Sequence, residues 1–517
     1  MDRTILVKSL PLLASMLGRK YGVTVQVGGD EAFTNGRCIQ LPGLPAEGDS
    51  NLVNIVRSYL DHETAHIRFT DFACLNDSVT PLEKHVWNIF EDWRVENCFV
   101  KLYPGARNNF QWLIRHIFVS PKQELPTTPE GLVLNWLLLT VRSWEVAELK
   151  ARVNVHATAI DQVYPQLRFQ LEGLLGIMKS NCPDSKAAMT YAKKAVACIQ
   201  QQCSRMDTTQ QDGMPDGISF SFGEAKQRLE GLCGGSLEVD ALPVGLGEAA
   251  RTLLSAVSKE GSVKESVTVA VVGNKVTRQI DEGVLRDVNR VTTGMQAKFN
   301  SLMQTELLTR TRPSKQGRID WSALYKLAVS KQDIFYQRSE SRGVDTAFHI
   351  LLDSSGSMGS RIKLATTACY SVAKALALNG INVGITAFPA LADDKSTSAV
   401  LPLVLHGEKV HSNIQVQARG TTPMTESLWW VLQQMSELRE QRKILLIVSD
   451  GEPDDVSGTL EVIKKGRKYG VEFYGLGICA PEIKGILPQQ SSVVATLDEL
   501  PSAMFAMLRE AVAKSAA

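Results

Sequence analysis

The 517-residue chain has no C-x-x-C pair, and its nine cysteines are odd in number and scattered. That pattern fits free thiols in a reducing cytoplasm better than a disulfide framework. Long apolar runs are missing too. No stretch reaches the roughly 18 consecutive apolar residues of a membrane span, so no membrane partner is expected. An excess of either charge is absent: 56 Lys and Arg face 55 Asp and Glu, a formal net charge of +1. Nucleic acid is therefore not an expected partner. The phosphate-cradling pattern G-x-x-x-x-G-K-[ST] does not occur, so any ATP-driven work must be borrowed from another protein. No internal repeat is visible. The opening MDRTILVKSLPLLASMLGRK contains leucines, but Lys8 and Pro11 break the run. It reads as an amphipathic first helix rather than a signal peptide.

A chain of this length predicts two to four domains. Residues 1–109 mix short strands (TVQVGG, RCIQLP) with two helical stretches near 51–71 and 81–102, an α+β pattern. Residues 110–205 carry apolar positions at helical spacing, and 206–223 are polar and Gly-rich, a linker. Helices are expected to resume over 224–343, with a Gly/Val-rich break near Val267–Gly273 and a basic connector, TRTRPSKQGRID. From residue 344 to 517 strand runs (HILL, NVGITAF, KILLIVS, VEFYGLGI) alternate with helical runs, the pattern of a parallel, Rossmann-like α/β sheet.

Ligands in such sheets sit beyond the carboxyl ends of the strands. LLDSSGS places Asp353, Ser355 and Ser357 there, and LLIVSDG places Asp450 at the same end of a later strand. Between them ARGTTPMTE offers Thr421 and Thr422 on a glycine turn. These residue types also cap helices and make turns. Two carboxylates and three hydroxyls on one rim form an oxygen-only set suited to Mg²⁺. The D-x-S-x-S, distant Thr, distant Asp arrangement resembles the metal-ion-dependent adhesion site of von Willebrand factor A domains. That resemblance implies an ion held by Asp353, Ser355, Ser357, Thr422 and Asp450. It also implies an open position for a partner's acidic side chain. Thr422 is preferred to Thr421 because it directly precedes Pro423, as in the GTP turn of chelatase-type relatives.

A second constellation lies in YLDHETAHIRFTDF, an H-E-x-x-H motif of His62, Glu63 and His66. Residues four apart share one helix face, so both imidazoles can meet one Zn²⁺. Glu63 would then stand beside a metal-bound water as general base. The third ligand is sought in NIFEDWRVEN: Glu91 is chosen, with Asp92 and Glu96 as alternatives. Arg94 and His85 lie close in sequence, and neither is assigned as a second catalytic group. The arrangement resembles gluzincin metallopeptidases, with FTNGRCIQLP in the place of the edge strand, so residues 1–109 are read as zincin-like.

The order of these parts resembles the CobT-type subunit of aerobic cobaltochelatase. The carriers are LLDSSGSM, VSDG, the DHETAH…TDF stretch and EDWRVE. The resemblance implies a MoxR/chelatase-type AAA+ ATPase partner, with this chain as a cytoplasmic adaptor whose Mg²⁺ grips an acidic residue on a target. The family's central segment is long and strongly acidic, whereas 206–223 is short and nearly neutral. A related ATPase machine with another target is therefore weighed equally with cobalt insertion. Two further readings are a zinc metallopeptidase whose C-terminal domain recruits substrate, and a pure binding module.

Overall fold

The computed structural model describes residues 9–34, 36–76, 78–119, 128–205, 221–233, 244–260, 266–286, 308–314, 318–319, 335–341, 345–392, 397–495, 499, 502–504 and 506–507. Most of the 206–223 linker, the connector 320–334 and the final helix start at Asp498 lie outside them. The chain divides into two compact units, Val7–Val267 and a second built from Thr268–Ala517. Among the described residues no helix is long and apolar enough to cross a membrane.

The first unit is mainly helical. After α1 (Leu10–Tyr21), which stops at Gly22 with φ 70°, come β1 (Thr24–Val27), β2 (Phe33–Thr34), β3 (Cys38–Leu41) and β4 (Leu44–Pro45). β1 pairs parallel and β2 antiparallel with β3, leaving β2 at the edge of a small mixed sheet. Helix α2 (Ser50–Phe69) starts where the Asp49 side chain accepts from Leu52 N. Helix α3 (Pro81–Leu102) starts at a capping box between Thr80 and Glu83, with Pro81 in the first turn. There follow α4 (Ala106–Phe118), α5 (Pro129–Ser143), α6 (Lys150–Val163), α7 (Leu167–Ser180), α8 (Ser185–Arg205), α9 (Phe222–Cys233), α10 (Leu246–Glu260) and β5 (Ser266–Val267). Within DHETAH, Asp61 is structural. Fully buried, it accepts from Tyr21 Oη at 2.5 Å and Asn109 Nδ2 at 2.8 Å, tying α2 to its neighbours. Cys38, Cys74 and Cys98 are half-buried free thiols.

The second unit begins well before residue 344. Its β6 (Val271–Val272) is the edge strand of the seven-stranded sheet. The expected helical connector also contains β7 (Leu308–Ser314), β8 (Arg318–Ile319) and β9 (Phe335–Ser341), antiparallel in the order β7-β9-β8. The basic TRTRPS stretch, expected as a connector, is thus a strand, and its Thr-Arg alternation has the two-residue period of one. Then come β10 (Thr346–Asp353), α11 (Ile362–Leu378), β11 (Asn382–Phe388), β12 (Ala399–Val404), α12 (Met424–Ser436), β13 (Arg442–Ser449), α13 (Val456–Lys468), β14 (Val471–Ile478), α14 (Ile483–Ile486) and β15 (Ser491–Val494). The sheet order is β15-β14-β13-β10-β11-β12-β6, parallel except for the antiparallel β11–β12 pair. Every residue of β10 is buried, as its position at the sheet centre requires. Trp429 and Trp430 are both core residues.

One chain of hydrogen bonds, buried at its His349 end, crosses this sheet. Thr386 Oγ1 lies 3.0 Å from His349 Nε2, His349 Nδ1 2.9 Å from His406 Nε2, and His406 Nδ1 3.3 Å from Asn382 Oδ1. Asn382 Oδ1 can only accept, so His406 donates from Nδ1 and its Nε2 accepts from His349 Nδ1. Burial, reinforced by His406, holds His349 well below the usual imidazole range. Burial likewise holds His406 down at about 4, though Glu440 pulls upward and Lys443 downward. As pH falls below the unfolded value near 6.5, the unfolded chain takes up protons that these rings refuse. His406 alone should cost roughly 2–3 kcal/mol of stability by about pH 4.5. Urea unfolding of wild type and His406→Gln at pH 7 and pH 4.5 checks this: the wild type should lose more, and equal losses would refute it.

Candidate functional site

The β10–β13 register sets Leu352 beside Val448, which brings Asp353 and Ser449 together at the strand ends. Asp353 is fully buried. Its Oδ1 accepts from Ser355 N at 2.8 Å and its Oδ2 from Ser449 Oγ at 2.5 Å. Ser355 Oγ is 2.9 Å from Ser357 Oγ, which donates to Asp450 Oδ1 at 2.7 Å. Asp353, Ser355, Ser357 and Asp450 therefore stand on one continuous rim. Burial raises the Asp353 pKa, opposed by its two serine partners and helped by the Asp450 charge. Such a carboxyl gains from a nearby cation.

Thr422 is held by its backbone to Asp454. Its N donates to Asp454 Oδ1 at 3.0 Å, and its carbonyl accepts from Asp454 N at 3.0 Å. Thr422 is buried whereas Thr421 is exposed. Gly356 N donates to Gly420 O at 3.0 Å and Arg419 N to Ser354 O at 2.8 Å, so the first two rim loops hold each other. Ser449, Asp454 and Arg361 were not singled out in the sequence. Arg361 Nη1 lies 3.2 Å from Asp450 Oδ2. Ser449 and Asp454 belong to the same VSDGEPDD stretch as Asp450, which was the available signal. The donor set is oxygen-only, of hydroxyls and carboxylates, and fits a hard divalent cation.

The first unit holds a different cluster. His62 Nδ1 is 3.0 Å from Glu96 Oε1, and His66 Nδ1 is 2.9 Å from Thr70 Oγ1. Both Nε2 atoms turn toward Asp92 Oδ1, at 4.0 Å from His62 and 3.2 Å from His66. One ligand atom from each of His62, His66 and Asp92 fits within a 4.8 Å span. Asp92, an alternative in the sequence reading, and not the chosen Glu91, is the acid that meets the two histidines. Glu91 instead forms a buried pair with Arg94, whose Nη2 is 2.6 Å from Oε1, and accepts from Ser185 Oγ at 2.7 Å. Neighbours in a helix point about 100° apart, so the face of α3 that meets α2 carries Asp92 and Glu96 while Glu91 faces α8. The signal lay in spacing: Asp92 and Glu96 are four apart, like His62 and His66.

Burial disfavours a charged His62, but Asp92 and the Glu96 hydrogen bond outweigh it and hold its pKa at about 9. Burial likewise opposes the Asp92 charge, and His62, His66 and Arg142 bring it down to about 2. A metal ion at this point would replace the His62 proton. The cluster opens into a cleft of about 550 Å³ lined also by Glu63, Tyr59, His85, Phe33 and Gly247. Burial, with Glu63 beside it, raises the Tyr59 phenol. Burial holds His85 down at about 4 against the pull of Asp92, and its Nε2 has no hydrogen-bond partner among the described residues. Gly247 at the start of α10 is required by close approach: a Cβ there would collide with His62 Nε2.

Residues 349–505 match the von Willebrand factor type A domain family. The second unit thus carries a von Willebrand factor A domain, and the match covers only that part of the chain. Similar solved structures include the manganese-loaded TRAP protein of Plasmodium vivax, at 17% identity and TM-score 0.26, covering 32% of this chain and 73% of that one. Another is mussel byssus proximal thread matrix protein 1 with a zinc-occupied MIDAS motif, at 18% identity and TM-score 0.27, covering 33% of this chain and 47% of that one. A third is the SpRpn10 VWA domain, at 13% identity and TM-score 0.25, covering 31% of this chain and 93% of that one. This chain therefore spans about half the length of the mussel protein. A search of curated proteins found no match.

Proposed function

We propose that the chain is a cation-dependent adaptor whose von Willebrand factor A domain grips a carboxylate of a partner through Mg²⁺. The observation that carries this is the Asp353–Ser355–Ser357–Asp450 rim. Asp353, Ser355, Ser357 and Asp450 would hold Mg²⁺, which binds few carboxylates and would offer an open position to a partner's acidic side chain. The resemblance to CobT-type subunits and the absence of a phosphate loop in the sequence support a MoxR/chelatase-type AAA+ ATPase as the machine it serves. Full-length chain immobilised in Mg²⁺ is expected to retain such an ATPase and to release it in EDTA. Retention indifferent to EDTA would overturn the reading.

A second reading has its own observation, the convergence of His62, His66 and Asp92. Those residues would hold Zn²⁺ in the first unit, which would polarise a bound water beside Glu63 as general base, the chemistry of a metallopeptidase. Zinc in stoichiometric amount, with cleavage lost and metal kept in Glu63→Gln, is the expected result. A zinc-free purified protein would dismiss it.

A further inference from the structure

Arg142 lies in α5, where its neighbours Leu137, Leu138, Leu139 and Val141 are buried core. Its own side chain is only 1% exposed. Yet it reaches two carboxylates of α3: Nη1 donates to Glu96 Oε2 at 2.6 Å and Nη2 to Asp92 Oδ2 at 3.0 Å. The remaining oxygen of each carboxylate faces a histidine. Glu96 Oε1 is 3.0 Å from His62 Nδ1, and Asp92 Oδ1 is 3.2 Å from His66 Nε2. A planar guanidinium has the fork to hold two carboxylates at fixed spacing, whereas an ammonium is a point charge. Buried ion pairs contribute little net stability, and Arg142 Nε is left without a partner among the described residues. Stability alone is therefore a poor account of this residue.

We propose that Arg142 is a positioning residue that confines Asp92 to one metal-binding oxygen and orients His62 through Glu96, keeping one coordination position open toward the cleft. This rests on the second reading above. With Asp92 Oδ2 committed to Arg142, the protein supplies three donors: His62 Nε2, His66 Nε2 and Asp92 Oδ1. A closed structural zinc site uses four protein donors, and a hydrolytic one keeps the fourth position for water. The cleft with Glu63 lies on that side. Loss of the clamp frees Oδ2 to bind as well and frees His62 to turn.

The test uses the full chain carrying Asp353→Asn, which removes the oxygen-only site, titrated with Co²⁺ and followed by visible absorption and bound metal per chain. The parent is expected to bind one Co²⁺ with the intense visible bands of a four- or five-coordinate nitrogen-containing site. Arg142→Lys should lower Co²⁺ affinity roughly 10–100-fold and shift those bands, with unchanged far-UV circular dichroism. Unchanged affinity and bands in folded Arg142→Lys overturn the proposal and leave the zinc reading standing. A parent that binds no Co²⁺ overturns both. If Arg142→Lys does not fold, Glu96→Gln takes its place: weaker binding with shifted bands supports the proposal, and binding like the parent's overturns it.

Discussion

Asp353→Asn is expected to weaken Mg²⁺-dependent capture of a partner carboxylate by roughly 100-fold or more, about 2.7 kcal/mol, without unfolding the domain. The carboxylate supplies the buried negative charge of the rim, and a neutral amide cannot repay the dehydration of a hard cation. The fold should tolerate the change. Asparagine keeps an oxygen for Ser355 N, and the Ser449 hydroxyl can rotate to accept from the new amide. Burial raises the pKa of Asp353, so its ionised form is a burden on the folded state at neutral pH and the amide removes that burden. Calorimetric titration of an acidic peptide or the isolated ATPase, with and without Mg²⁺, reads the first effect, and a melting curve reads the second. Binding of the variant with wild-type affinity and Mg²⁺ dependence would end the adaptor proposal.

The second large effect separates two adjacent acids. Asp92→Asn should reduce zinc affinity roughly 100-fold, because it removes the anionic ligand between His62 and His66. Glu91→Ala should leave zinc content intact and cost about 3–5 kcal/mol of stability. Its carboxylate is fully buried, and its loss strands the Arg94 charge, which is itself 4% exposed. Zinc per chain and urea unfolding of both variants form a crossed comparison. Zinc loss in Glu91→Ala with full loading in Asp92→Asn would reinstate Glu91 as the ligand.

The contrast shows what one dimension conceals. The oxygen-only rim was legible because Asp353, Ser355, Ser357 and Asp450 sit where apolar strands stop, and a parallel sheet delivers such ends to one edge. Position along the chain and position on the rim are then nearly the same information. Choosing among Glu91, Asp92 and Glu96 requires the rotation of α3 about its axis, which is set by packing against α2 on one side and α8 on the other. The four-residue match of Asp92 and Glu96 to the histidines carried that rotation. Arg142 was invisible for a different reason: a lone arginine in a leucine-rich helix gives no hint of which charges it meets. The strands β7 and β9 were missed because their alternation pairs threonine or serine with arginine rather than apolar with polar.

Arg361 gives the rim a property of its own. Its guanidinium, 42% exposed, already neutralises Asp450 from the solvent side. Arg361 holds Oδ2 while Ser357 holds Oδ1, so a cation held on the Oδ1 side would leave the guanidinium in place. An approaching acid would then face two positive charges side by side, one fixed by the chain and one brought by the ion.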